Sequence, residues 1–196
     1  AMVTDYDGDG RSDLIYPSGS PAKWNVLKGT AYGGFTLLQT NALVSGRLNS
    51  HTTGDVNGDG LDDVVSLDDN KIYVLFNTAS GYAAQGAQIV STFGSAATEP
   101  FIKHQTRSLT HRTDFNGDGR SDFLVLVKTN IPICIDGGQC ITPSISVYQS
   151  LIANGSGFTS GGSFAYSYNL ISGVKILELN GDGLSDITYV QTDGNT

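Results

Sequence analysis

Two cysteines, one methionine, one tryptophan, five prolines and three histidines are all that 196 residues hold of these types, and each scarcity excludes something. Two cysteines with no histidine beside them make half a zinc site at most. Three histidines, with no Gly-x-Ser-x-Gly elbow and no signature tying a base to a nucleophile, offer no catalytic constellation, so an enzyme is not expected. Basic residues are also scarce: 11 stand against 19 acidic ones, for a net charge of -8. Such a chain repels phosphate, and nucleic-acid binding is excluded as a leading class. No apolar run approaches the roughly 20 residues of a helical membrane span. The first residues, Ala1 and Met2, lead straight through Val3 and Thr4 into an acidic loop with no signal peptide, so the natural start is expected to be removed or to lie upstream.

What remains is an ordinary hydrophobic content of 39%, enough for a folded core in one domain or at most two. Twenty-five glycines favour many turns and short strands over long helices.

The acidic residues are not scattered. Four nine-residue segments align without a gap: 5–13 (DYDGDGRSD), 55–63 (DVNGDGLDD), 114–122 (DFNGDGRSD) and 178–186 (ELNGDGLSD). They hold 14 of the 19 acidic residues, so the net charge is mostly a property of these loops. Each loop carries side-chain oxygens at positions 1, 3, 5 and 9 and glycine at positions 4 and 6. Carboxylates crowded this closely repel one another unless a cation sits among them. An all-oxygen shell of irregular geometry suits Ca²⁺, one ion per loop and up to four in all. The expected ligand sets are Asp5, Asp7, Asp9 and Asp13; Asp55, Asn57, Asp59 and Asp63; Asp114, Asn116, Asp118 and Asp122; and Glu178, Asn180, Asp182 and Asp186. The backbone carbonyl of position 7 (Arg11, Leu61, Arg120 and Leu184) is expected to complete each ring. Glu178 departs from the pattern, and its longer side chain makes the fourth site the weakest.

The residues after each loop decide which kind of cation loop this is. An EF-hand needs a bidentate acid at position 12 and then a helix. Position 12 here is Tyr16, Ser66, Val125 and Tyr189. Short apolar runs follow position 9 at once (14–16, 64–65, 123–127 and 187–190) and read as buried strands. The loops therefore belong to β-hairpins.

First ligand to first ligand, the spacings are 50, 59 and 64 residues. A second marker, a strand leading to a Gly-aromatic pair, recurs at Gly34-Phe35, Gly81-Tyr82 and Gly157-Phe158. Distances between the two markers give a unit of about 50 residues, with insertions near 92–108 and 129–143. Each unit has room for four antiparallel strands, the size of a propeller blade. The expected fold is all-β: one propeller region over 1–196, with units starting near 3, 53, 112 and 176, amounting to three units plus a terminal hairpin.

The loop pattern followed by an apolar strand resembles the FG-GAP/VCBS repeats of integrin-α-type propellers. The Trp24-Asn25-Val26 and Gly-aromatic signatures are most similar to VCBS-type repeats of bacterial toxin-complex B, SpvB-like and Rhs proteins, and a fungal lectin family is also similar. The resemblance implies a non-catalytic, calcium-stabilised scaffold or interaction module of a secreted or surface-exposed bacterial protein, a toxin-shell or adhesion component. The alternative is a calcium-dependent carbohydrate-binding lectin. The partner is accordingly a protein or a glycan. Three units and a hairpin do not close a propeller, so the chain is either a piece of a longer one or half of a ring closed by a homodimer.

Four smaller readings complete the survey. Cys134 and Cys140 flank a turn and are expected to bridge if the protein is exported, and to be free thiols otherwise. His104 and His111 lie in the one basic stretch, read as a solvated linker rather than an anion contact. Trp24, Tyr32 and Phe35 offer rings to a sugar, but core packing is the stronger expectation for all three. Paired catalytic carboxylates are not expected, because nearly all the acids are committed to the loops.

Overall fold

The computed structural model describes residues 1–45, 51–68, 71–83, 86–92, 113–130, 133–134, 140–141, 144–166 and 171–191. Among them every regular element is a strand, and every strand pairing is antiparallel. The first sheet holds β1 (Met2–Thr4), β2 (Asp13–Ser18), β3 (Lys23–Gly29) and β4 (Phe35–Leu43) in sequence order. The second repeats it with β5 (His51–Gly54), β6 (Asp63–Asp68), β7 (Lys71–Leu75) and β8 (Gln88–Thr92). In the third unit β9 (Phe123–Asn130) pairs with β12 (Ser144–Ala153), which pairs with β13 (Phe158–Tyr166). The connection from β9 to β12 carries a small hairpin of β10 (Ile133–Cys134) and β11 (Cys140–Ile141). A final hairpin joins β14 (Ile171–Leu177) to β15 (Asp186–Gln191). Among the described residues no sheet closes on itself, and consecutive antiparallel meanders of this kind, two of them four-stranded, form a partial β-propeller.

Strand alternation explains how the sheets stack. Successive side chains point to opposite faces, so each sheet has one face for the unit before it and one for the unit after. Ile15, Trp24 and Val26 of the first sheet share a buried cluster with Val64 and Leu75 of the second. One residue further along, Val65 and Val74 turn the other way and join Phe123, Val125 and Leu151 of the third. Leu124 in turn meets Val174, Ile176 and Ile187 of the last hairpin. The core is thus a set of layers between sheets.

The expected burial holds at 64–65 and 123–125, whereas in 14–16 only Ile15 is buried and Leu14 and Tyr16 are half-buried. In 187–190 only Ile187 packs inward, while Tyr189 and Val190 are exposed. That run was expected to be buried; it is exposed because no sheet lies beyond it among the described residues. Of the three rings expected in the core, Trp24 is there, stacked edge-on against His51 at 4.9 Å. Tyr32 at the tip of the β3–β4 turn is 99% exposed and Phe35 about half so, which corrects that expectation for both. The β10–β11 register sets Cys134 opposite Cys140, the backbone spacing a bridge requires. His104, His111 and most of the first insertion lie outside the described residues.

Gly54 of β5 packs closely against the third unit. A Cβ there would stand 2.7 Å from Ser121 Cβ and 3.1 Å from Phe123 Cζ. Gly54→Ala should therefore force the second and third units apart and destabilise the fold by about 1–3 kcal/mol, measurable by urea unfolding.

Candidate metal centres

Each loop is built around its first residue. Asp55 Oδ1 accepts the backbone N–H of Gly58 at 2.7 Å and of Asp59 at 3.1 Å, and Oδ2 accepts that of Gly60 at 2.9 Å. Asp114 does the same for Gly117 and Gly119 at 2.7 and 2.9 Å, and Asp5 for Asp9 and Gly10 at 3.1 and 3.0 Å. Glu178 keeps only the nearer contacts, with Asn180 and Gly181, through one oxygen. These turns demand a left-handed backbone at positions 4 and 6, where all eight glycines have φ between 72° and 90°. Position 5 then holds the turn's far side: Asp9, Asp59 and Asp118 each accept the N–H of the residue two places on at 2.9 Å, and Asp182 does so at 2.8 Å.

Position 9 works differently. Asp13, Asp63 and Asp122 are fully buried. One oxygen accepts the N–H of position 2 in the same loop, from Tyr6 (2.8 Å), Val56 (2.9 Å) and Phe115 (2.7 Å). The other accepts an N–H from the third strand or just past it, from Gly29 (2.7 Å), Asn77 (2.7 Å) and Ala153 (2.8 Å). Among the described residues Asp186 makes the first of these bonds, to Leu179 at 2.9 Å. Each carboxylate oxygen has a second lone pair, so these bonds leave capacity for a cation.

Burial sets the protonation of these acids. It raises Asp13 above the ordinary carboxylate range, against the pull of its two backbone donors. It raises Asp122 to about 6 and Asp63 to about 7, with the neighbouring loop carboxylates adding to the effect. Asp118 is instead held low, chiefly by the N–H of Arg120.

The first loop shows most directly whether a cation fits. Asp7 replaces the asparagine of the other loops, and Asp5, Asp7 and Asp13 each present an oxygen within 4.8 Å of the others. In loops two to four the asparagine Nδ2 donates to the position 5 carboxylate at 3.0–3.1 Å. Asp7 cannot do this; Lys28 Nζ meets its Oδ2 at 2.5 Å, and its Oδ1 is buried without a hydrogen-bond partner. An orphaned anionic oxygen among converging carboxylates fits a hard cation well. In the other three loops the position 3 and position 5 side chains are engaged with each other, and a cation would draw their oxygens inward.

Position 8 is the residue that reading the sequence missed. Ser121 Oγ accepts the N–H of Asp55 at 3.0 Å, while Ser121 N–H donates to the Asp55 carbonyl at 2.7 Å. Ser185 makes the same pair of bonds to Asp114, at 2.9 and 2.7 Å. Asp62 reaches Asp5 N–H at 3.2 Å and Thr4 Oγ1 at 2.9 Å. Each loop thereby holds the first residue of the loop before it. Asn77 adds a second tie, donating to the Tyr6 carbonyl at 2.6 Å.

Residues 5–66 match the family of FG-GAP-like repeats. The match takes in three of the first sheet's four strands (β2, β3 and β4), the first two loops and the start of the second sheet. Repeats of this family are structural and interaction modules rather than enzymes, and they often bind calcium. No curated protein matches the chain with significant similarity.

Two outcomes follow from position 9. Asp63→Asn turns an amide N–H₂ toward one of two buried backbone donors and should destabilise the fold by about 1–3 kcal/mol in urea titrations, with or without cation. Secondly, Asp63 and Asp122 hold protons in the metal-free folded state that the unfolded chain, titrating near 3.8, has already lost. The folded state therefore binds more protons between about pH 4 and 7, and stability falls as pH rises through that window. Thermal melts of the chelated protein across this range should show the decline, and a divalent cation should flatten it.

Proposed function

We propose that the chain is a calcium-stabilised β-propeller interaction module of a secreted or surface-exposed bacterial protein, serving as a toxin-shell or adhesion component. The observation that carries this reading is the first loop, where Asp5, Asp7 and Asp13 converge around an oxygen with no protein partner. Calcium supplies charge neutralisation there. The four ligand sets and the position 7 carbonyls do the rest, holding each turn in one conformation with Ca–O distances of about 2.3–2.6 Å. Cation binding to loops that are electrostatically costly without it becomes folding free energy. The FG-GAP-like match over 5–66 supports an interaction role over a catalytic one.

A second reading is a calcium-dependent lectin, and one observation favours it. A cleft of about 510 Å³ lies between β4 and the turn before β8, lined by Tyr6, Thr40, Asn41, Ser80 and Tyr82 among others. Aromatic rings beside hydroxyl and amide groups suit a sugar. Saturable, calcium-dependent binding on a glycan panel would favour the lectin over the protein-binding module.

Calcium should raise the melting temperature, each site contributing about 2.7 kcal/mol at a hundred times its Kd. Asp118→Ala should remove about one such share. A melt that EDTA leaves unchanged would overturn the calcium reading.

A further inference from the structure

The first loop differs from the other three in charge, and one residue outside it answers the difference. Position 3 is Asp7 here and asparagine elsewhere, so the first loop brings four carboxylates to its ligand positions and each of the others three. The asparagines are locked by their own loops. Asn57, Asn116 and Asn180 each accept the N–H of position 5 at 3.0–3.1 Å and donate to its carboxylate at 3.0–3.1 Å. Asp7 has nothing to donate. Lys28 holds it instead, with Nζ 2.5 Å from Oδ2, while Oδ1 is buried with no hydrogen-bond partner.

Lys28 lies on β3, and its place has a counterpart in the next two units. The residue after it, Gly29, donates its N–H to Asp13 at 2.7 Å, as Asn77 does to Asp63 and Ala153 to Asp122. The counterparts of Lys28 are therefore Phe76 and Ile152, both apolar. Of these three units, only the one with an acid at position 3 carries a base at this place. Four carboxylates and one ammonium sum to the charge of three carboxylates, which is the sum in each other loop. Arg11 does not explain the match. Its pairing with Asp9 recurs in the third loop as Arg120 on Asp118, where position 3 is neutral.

The charge of Lys28 reaches beyond Asp7 and also acts on Asp13 and Asp9, so three of the four expected ligand side chains feel it. The loop backbone has little room to answer by moving. From the second loop, Asp62 holds Asp5 N–H at 3.2 Å and Thr4 Oγ1 at 2.9 Å, and Leu61 lies 3.2 Å from where a Cβ on Gly8 would be. Arg120 and Leu184 cover Gly58 and Gly117 in the same way. The Lys28 side chain is 37% exposed, and its four-carbon stem is long enough to swing into solvent.

We propose that Lys28 is a tethered counter-ion that competes with a divalent cation for Asp7, and so sets the first loop's cation affinity below what four carboxylates would otherwise give. This rests on the reading of the loops as cation sites. The ammonium offsets carboxylate repulsion within the loop and repels a second positive charge that approaches the same oxygens. Removing it has two effects of opposite sign: the metal-free loop is less stable and the cation site is tighter. A side chain that only positioned Asp7 would weaken both when removed.

Terbium reads this loop apart from the rest. Tyr6, whose phenol feels Lys28, Asp7 and Asp13, is the only tyrosine at position 2; the other loops have Val56, Phe115 and Leu179 there. Displacement of tyrosine-sensitised terbium emission by added calcium is expected to show binding about five- to tenfold tighter in Lys28→Met than in the unaltered chain. Lys28→Arg keeps the charge and should match the unaltered chain. Lys71→Met, at the far end of β7 from its loop, should match it as well. In thermal melts Lys28→Met should start lower in EDTA and gain more from calcium. Binding by Lys28→Met that is equal or weaker overturns the inference, as does equal tightening in Lys28→Arg. A melt of the unaltered protein that ignores both EDTA and calcium overturns the cation reading and this inference with it. A melt that responds to calcium while Lys28→Met binds no tighter overturns the counter-ion alone.

Discussion

A buried aspartate that takes two backbone donors is the constraint from which each unit grows. Asp13, Asp63 and Asp122 join three things that sequence separates: the acidic loop, the strand that follows it, and the end of the strand after that. Buried carboxylates are costly, and each of these is tolerated because its oxygens meet N–H groups that would otherwise be unpaired. The loop's shape, the β2–β3 and β6–β7 registers, and the direction of position 2 into the next core layer all depend on that one side chain. The same burial raises its pKa, so the group that organises the fold also makes the metal-free fold sensitive to pH.

The second level of order lies between units. Apolar layers hold neighbouring sheets together, but they are tolerant of small slips, since apolar contact is non-directional. The position 8 clamp is directional, with two hydrogen bonds to one residue. It aligns neighbouring loops at the same height, and the position 7 side chain then fills the space that a Cβ at position 4 would need. Glycine at position 4 therefore answers two demands, a left-handed backbone and a close neighbour.

Much of this was legible in the sequence, for physical reasons. The loop pattern repeats four times without a gap, and strand alternation is strictly local, so the all-β architecture and the candidate ligands could be read from spacing alone. The inter-unit clamp could not. Ser121 and Asp55 are 66 residues apart, and Ser185 and Asp114 are 71 apart. A serine between a glycine-rich turn and an aspartate looks like any solvated turn residue. The double use of position 9 was hidden for a similar reason, since a carboxylate in a cation motif is sufficiently explained by the cation. Trp24 on its strand does pack in the core, but Tyr32 and Phe35 do not, because a hairpin tip and an outer strand leave both in solvent.

The clamp and the proposed ligand ring share an atom group, and this joins the two levels. The carbonyl of position 7 and the N–H of position 8 belong to one peptide unit. In the third loop that unit is Arg120–Ser121: its N–H already donates to the Asp55 carbonyl of the second loop at 2.7 Å, and its carbonyl is the one proposed to bind the third loop's cation. A cation on the carbonyl polarises the peptide and makes the N–H a stronger donor. Occupation of one loop by a cation would thus tighten its hold on the first residue of the loop before it, the residue whose carboxylate shapes that site. The Leu184–Ser185 peptide repeats the arrangement between the fourth loop and Asp114. Coupling of this kind would link the third loop with the second and the fourth with the third, and by linkage it would act equally on both members of each pair. Its strength should depend on position 8 keeping its N–H and hydroxyl aligned, which is a demand on the backbone that the apolar layers between the sheets are there to meet.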